Sequence, residues 1–303
     1  QAMNAKKTKK IVVLATGGTI AGLAADAAKP QNYKAGQVDV ADLLQGVAHD
    51  GVELLTEQVA QIDSKDMSLA VWQILLARAA HWVAQDDVQG VVITHGTDTL
   101  EETAYFLQTV LQPTKPVAIT CAMLPANAPD SDGPGNLNDA LAWVQRPDAA
   151  GVSVVCAGQV HPGRAVQKSH SHQRNPFTSQ ADMSQPKALH VPNISQVLAC
   201  THWPRVELVF NHAGADGRLV RVLMAHDAPQ GWVVAGTGNG TLHRDLEAAL
   251  LDAQKQGAQV LRASRCAQGG VQSRESDVFP HAGGLTAVQA RVALLLHLVA
   301  QQA

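Results

Sequence analysis

Two short turns in the sequence place hydroxyls where acyl-transfer chemistry could be done. The first, Thr16-Gly17-Gly18-Thr19-Ile20, directly follows the all-apolar run Ile11 to Ala15. Two glycines let the backbone bend sharply and bring N–H donors close to a ligand. A threonine hydroxyl beside such donors supplies a nucleophile next to an oxyanion site. The same string also suits an ordinary strand-to-loop turn with a capping threonine. A phosphate loop fits less well, because no Gly-Lys-Ser/Thr follows. The second turn, Thr94-His95-Gly96-Thr97-Asp98-Thr99, sets hydroxyls and a carboxylate at a helix start. Capping needs one such residue, and this tight glycine bend supplies several.

The elements around these turns read as an α/β protein. Ile11–Ala15, Val91–Thr94, Val117–Thr120 and Val152–Cys156 are short apolar runs of the kind buried on both faces of a parallel sheet. Between them, Ser64 is a plausible N-cap for a helix whose buried face carries Met67, Val71, Ile74, Leu75 and Trp82. Leu100 to Leu111 forms a second helix, with Glu101 and Glu102 at its dipole-favoured end and Pro113 as its stop. The rhythm lapses from about Thr178 to Pro204. It resumes with strand-like Val206–Phe210, Trp232–Ala235 and Gln259–Ala263, and helix-like His243–Gln256 and Thr286–Gln301. The expected fold class is therefore α/β in two domains. The larger N-terminal domain (1–185) has a mostly parallel sheet with helices on both faces. A linker (186–204) leads to a smaller C-terminal parallel-sheet domain (205–303). In such sheets ligands bind outside the carboxyl ends of the strands, where both turns fall.

Bulk composition narrows the function classes. A chain of 303 residues with 46% hydrophobic and 16% charged residues has ample material for a buried core. A net charge of −3 argues against a nucleic acid or an anionic membrane as partner. The basic cluster Lys6, Lys7, Lys9 and Lys10 reads as a solvated tail. Cys121, Cys156, Cys200 and Cys266 form no CxxC pair, and three of them follow or lie within strand-like apolar runs, which reads as buried free thiols rather than a disulfide framework or a zinc site. No run reaches a membrane span and no signal peptide is visible. Met3 reads as the start and predicts a cytoplasmic protein, or a periplasmic one had a leader been removed.

The strings Val13-x-x-Thr16-Gly17-Gly18-Thr19-Ile20-Ala21 and Gly90-x-Val92-x-x-His95-Gly96-Thr97-Asp98-Thr99-Leu100 resemble the two signatures of the bacterial-type asparaginase/glutaminase family. The resemblance runs on through Glu101 to Leu107, Ala122-Met123-x-Pro125, Asp132-Gly133-Pro134-x-Asn136-Leu137 and Gly163-Arg164-x-Val166-x-Lys168. It reaches Gly236-Thr237-Gly238-Asn239-Gly240 and Ser264-Arg265, so it covers nearly the whole chain.

The resemblance implies an L-asparaginase that forms a threonine acyl-enzyme and acts on L-Asn, with L-Gln as a secondary substrate. Thr19 matches the nucleophile, and Tyr33 matches the tyrosine of a mobile lid spanning Ala21 to Asn32. Thr97, Asp98 and Lys168 match a second catalytic trio, in which the amine serves as base or orients water. Ser64 and Asp98 match the groups that hold the substrate's α-carboxylate and α-ammonium. The carbonyl of Ala122 matches the group that places the amide, and Gly18 and Gly96 line the same site. Asn239 and Glu275 match groups delivered by a neighbouring subunit of a homotetramer, a dimer of dimers with sites at the dimer interface. No cofactor is implied. One position departs from the pattern: Lys65 stands where the family usually has Gln or Glu, and a lysine there would repel a substrate ammonium.

His161, His170 and His172 include an HxH spacing that suits a metal on an extended strand, but no cysteine or carboxylate completes a set, and no metal is expected. An amidotransferase subunit would need an extra N-terminal domain ahead of the first turn. A glutaminase-asparaginase of broad specificity, or a non-catalytic amino-acid-binding homologue, remains as an alternative. The binding homologue predicts loss of Thr19, Thr97 or Lys168, all of which are present.

Overall fold

A computed structural model describes residues 8–45, 51–180 and 189–302, which divide into two compact units between Ser179 and Gln180. The first unit contains, in chain order, β1 (Lys10–Gly17), β2 (Leu23–Ala24), β3 (Tyr33–Lys34), α1 (Val40–Leu43), β4 (Glu53–Ile62), α2 (Leu69–Val83), β5 (Val88–Thr94), α3 (Leu100–Leu111), β6 (Pro116–Thr120), α4 (Gly133–Val144), β7 (Gly151–Cys156), β8 (Gln159–Pro162), β9 (Val166–Lys168) and β10 (Phe177–Ser179). Its main sheet has the order β4-β1-β5-β6-β7-β8, parallel except for the antiparallel edge strand β8.

Alternate residues of a strand point to opposite faces, and here both faces are covered. Ile11, Val13, Ala15, Val92, Ala118 and Val155 join Leu137, Ala140, Leu141 and Val144 of α4 in one core. Val12, Leu14, Val91 and Ile93 are equally buried on the other face, where α2 and α3 pack. Trp72 of α2 stacks on Phe106 of α3 with ring centroids 4.6 Å apart, which locks the two helices together.

The strand order fixes where a ligand can sit. From β1 the chain passes to β4 on one side, then returns to β5 on the other. That reversal opens a crevice at the carboxyl ends of β1 and β5. The turns Thr16–Ile20 and Thr94–Thr99 are the two lips of this crevice.

Several details differ from the sequence expectation. Ser64 does not cap α2; it starts a short 3-10 turn capped by Asp63, and Ser68 caps α2 through Val71 N. Ile74 is exposed, and the buried face of α2 runs instead through Trp72, Leu75, Leu76 and Ala79. Cys266 is exposed, whereas Cys121, Cys156 and Cys200 are buried, and none of the four is in a disulfide. Lys6, Lys7, Met3 and linker positions 186–188 lie outside the described residues. Within the remaining linker span, Ile194–Ala199 forms a short helix, α5, closed by a capping box between Asn193 and Gln196.

The second unit continues with β11 (Val206–Phe210), α6 (Arg218–His226), β12 (Gly231–Gly236), α7 (Arg244–Lys255), β13 (Gln259–Ser264) and α8 (Ala287–Ala300). Its three strands are parallel in the order β11-β12-β13. Val209, Val220, Trp232, Val234, Leu246 and Leu250 form a core that α7 and α6 share with the sheet. The sequence-predicted strands and the two longer helices fall where expected, within one or two residues.

Candidate active site

The first lip is built by steric necessity. Gly18 has φ 79°, a left-handed conformation, and a Cβ there would lie 2.4 Å from Gly96 N. The turns after β1 and β5 therefore touch backbone to backbone. Thr16 Oγ1 donates to Thr94 O at 2.8 Å and ties the same two strand ends. A Cβ on Gly96 would in turn lie 2.5 Å from Ser64 Oγ, so the turn after β4 closes on the second lip.

Thr19 follows this contact in a 3-10 turn and is 7% exposed. Its hydroxyl is 2.8 Å from Tyr33 Oη. Tyr33 reaches it because β2 and β3 pair as a two-residue ribbon that folds the intervening loop back. Asn127 pins that ribbon by bonding both the N–H and the carbonyl of Ala24, at 2.9 and 2.7 Å.

The second lip carries a trio. Lys168, at the end of β9, donates from Nζ to Thr97 Oγ1 at 2.8 Å and to Asp98 Oδ1 at 2.7 Å. Thr97 is buried, and the lysine side chain is 14% exposed against 55% for Asp98, so the ion pair opens to solvent on the aspartate side. Asp98 N donates to Ser64 Oγ at 3.2 Å, and Thr99 Oγ1 donates to Ser64 O at 2.8 Å. Thr99 precedes α3 yet makes no side-chain cap. The polar groups of this turn thus bind the site rather than the helix end.

These contacts bring together Thr19, Tyr33, Ser64, Gly18, Gly96, Thr97, Asp98 and Lys168 among the residues expected at the site. Ala122 is fully buried just beyond β6; Asp132 holds its loop by accepting from the N–H groups of Met123 and Leu124 at 2.9–3.1 Å. Lys65 is exposed and pairs with Asp66 at 2.8 Å, which raises its pKa.

In the second unit, Asn239 bonds the backbone of Gln272 in both directions, at 2.9 and 2.8 Å. Buried Arg262 ties that loop to the next by donating to Gly240 O at 3.0 Å and to Asp277 Oδ1 at 2.6 Å. Glu275 lies exposed in the turn that Asp277 closes through Arg274 N. His170 and His172 sit in a turn beyond β9, not on a strand, and His170 Nδ1 accepts from the N–H groups of His172 and Gln173. Among the described residues no group of three or more His, Cys, Asp or Glu is arranged to hold a metal.

Two further groups were not singled out from the sequence. Glu101 Oε1 accepts from Lys168 N at 3.4 Å, and burial pushes its carboxyl up to about 7. His95, fully buried, is bonded at both ring nitrogens, and burial lowers its pKa to about 4. Glu101 could have been flagged as an acid on the first turn of α3, beside the motif that carries Thr97 and Asp98. His95 shows its role only through the packing of α2 and α3.

The doubly covered parallel sheet thus carries two threonine-bearing lips at its switch point, one hydroxyl bonded to a tyrosine and one to a lysine. Residues 10–190 match the family model described as asparaginase, N-terminal, and residues 205–303 match the glutaminase/asparaginase C-terminal domain. The chain is 36% identical to L-asparaginase 2 of Escherichia coli K12, across 95% of this chain and 88% of that protein. It is 33% identical to a glutaminase-asparaginase of Pseudomonas fluorescens, across 89% and 79%. The crystal structure of a probable cytoplasmic L-asparaginase from Campylobacter jejuni superposes with a TM-score of 0.86 at 32% identity, covering 96% of this chain and 95% of that one. This chain belongs to the asparaginase family of amidohydrolases.

Proposed function

We propose that this protein hydrolyses the side-chain amide of L-asparagine to L-aspartate and ammonia, with L-glutamine as a secondary substrate. The observation that carries this reading is the pair of short contacts on facing lips, Thr19 Oγ1 to Tyr33 Oη and Lys168 Nζ to Thr97 Oγ1. An unassisted hydroxyl is a poor nucleophile at neutral pH, and each contact offers it a proton acceptor or a polarising group. Thr19 attacks the amide carbon and loses its proton, the amide nitrogen leaves as ammonia, and an ester to Thr19 remains. Water, oriented by Thr97 and Lys168, then attacks the ester and releases aspartate. Backbone N–H groups of the glycine turns stabilise the oxyanion of both steps.

Ser64 holds the α-carboxylate, Asp98 the α-ammonium by charge complementarity, and Ala122 O the amide. Asn239 and Glu275 act in the site of a neighbouring subunit in a dimer of dimers. Catalysis needs no cofactor. The chain is organised as domains 1–185 and 205–303 joined by a linker, and works in the cytoplasm or, behind a removed leader, in the periplasm.

Ammonia release from L-Asn and L-Gln, with Thr19→Ala as control, tests the reading. Turnover of L-Asn that disappears in the variant supports it. Equal rates with L-Gln would move the assignment to a broad glutaminase-asparaginase, since one methylene is worth only roughly 1–3 kcal/mol in a pocket. Aspartate binding without any turnover would make it a binding homologue.

A further inference from the structure

His95 sits inside the second lip, between strand end and catalytic threonine, and is 0% exposed. Its Nδ1 is 2.6 Å from Gly96 O, and its Nε2 is 2.8 Å from Thr103 Oγ1 on α3. The Thr103 hydroxyl also accepts from Trp72 Nε1 on α2, at 2.9 Å. These contacts determine the tautomer. A carbonyl oxygen can only accept, so Nδ1 carries the proton. Burial keeps the ring neutral, with a pKa lowered to about 4, so Nε2 is bare and must accept. Thr103 therefore donates to it, which leaves its lone pair for the Trp72 N–H. The chain runs in one direction, Trp72 N–H to Thr103 O–H to His95 Nε2, then His95 Nδ1–H to Gly96 O.

The carbonyl at the end of this chain belongs to the peptide that joins Gly96 to Thr97. The peptide is planar and trans, so its N–H points opposite to its C=O. Anchoring Gly96 O on the buried imidazole aims the Thr97 N–H away from the core. It also fixes the backbone from which the Thr97 hydroxyl meets Lys168 Nζ at 2.8 Å. A glycine has no side chain to hold its own peptide plane, so the plane needs an outside anchor.

We propose that His95 is the positioning residue of the catalytic turn, holding the Gly96–Thr97 peptide through its Nδ1–H while Thr103, itself bonded by Trp72, holds the ring at Nε2. It touches no substrate and moves no proton. Its kinetic consequence rests on the amidohydrolase reading, and its structural consequence does not.

Asparagine and glutamine distinguish the two ring nitrogens. The amide nitrogen of Asn falls near the place of Nδ1, and that of Gln near the place of Nε2. His95→Asn keeps the donor to Gly96 O and is expected to retain kcat within about fivefold, with the pH limbs of kcat unchanged, since a group that stays neutral contributes none. His95→Gln loses the donor, and kcat is expected to fall about 100-fold, the scale of a displacement near 1 Å, with a smaller change in KM. Crystal structures of the two variants read the same point without activity: the Gly96 peptide stays in place in the Asn variant and turns in the Gln variant. Equal kcat in the two variants, or an unmoved Gly96 peptide in His95→Gln, would overturn the proposal. Should one variant fail to fold, Thr103→Val, which removes the hydroxyl that holds Nε2 at nearly constant shape, is expected to lower kcat and shift the Gly96 peptide, and an unmoved peptide with unchanged kcat would overturn the proposal. Absence of ammonia release from the unsubstituted protein would count against the asparaginase reading and leave the crystallographic arm intact.

Discussion

The hydroxyl of Thr19 lies 2.8 Å from that of Tyr33, although fourteen positions separate them and Tyr33 is 39% exposed. The contact depends on the two-residue ribbon that folds the loop back. Thr19→Ala is expected to lower kcat for L-Asn by on the order of 10⁴-fold or more. Tyr33→Phe keeps the ring and removes the partner hydroxyl, and its expected loss is about 10²–10³-fold. Steady-state kinetics checks both, and a Tyr33→Phe enzyme within threefold of the parent would remove the tyrosine from the mechanism.

Lys168→Met takes away the only donor bonded to both Thr97 Oγ1 and Asp98 Oδ1 among the described contacts. The expected fall in kcat is about 10²–10⁴-fold. If the lysine serves the ester-hydrolysis step, the variant should show a burst of one ammonia per site before stalling. A rapid-quench experiment reads that burst, and its absence would assign the lysine to the first step instead.

Lys65 is expected to bear on substrate affinity rather than on rate. Its ammonium is exposed and paired with Asp66, so its repulsion of a substrate ammonium is largely screened. Lys65→Gln is expected to lower KM for L-Asn by about fivefold or less with kcat unchanged. Kinetics for L-Asn and L-Gln identical to the parent would show that the side chain stays clear of the site.

Two buried groups give stability opposite pH slopes. Burial raises Glu101 from 4.5 to about 7, so between these values the folded state holds a proton that the unfolded chain has lost. Stability from this group therefore falls as pH rises through that window. His95, lowered from 6.5 to about 4, works the other way: the unfolded chain takes up its proton first, and stability is lost on acidification. Glu101→Gln is expected to raise Tm above pH 7 and to change it little at pH 4.5. Thermal melts of parent and variant across that range provide the check, and parallel curves would refute the shift.

The sequence made the parallel strands readable because burial on both faces leaves unbroken apolar runs, as in Ile11–Ala15 and Val91–Thr94. The edge strand Glu53–Ile62 escaped notice because it alternates and carries polar groups with local tasks. Its Glu57 accepts from Arg78 and Trp82, which no pattern in the strand itself announces. Helix α6 was missed for a related reason: Leu219 and Val222 are exposed, so its apolar positions do not mark a buried face. At the site, Thr19, Thr97, Asp98 and Lys168 were legible because their types and motif positions carry chemistry. His95 was not, since its partners Trp72 and Thr103 come from two helices whose packing brings them together.

At the first unit's site a Cβ on Gly18 would meet the backbone of Gly96, and Ser64 leaves no space behind Gly96. Three turns from three strands mesh there with no clearance. A methyl group at either glycine would wedge the lips apart and separate the two hydroxyl centres at once. These positions are thus a single mechanical joint. Any effort to reshape substrate preference by randomising this protein gains most by leaving that joint fixed and varying its rim.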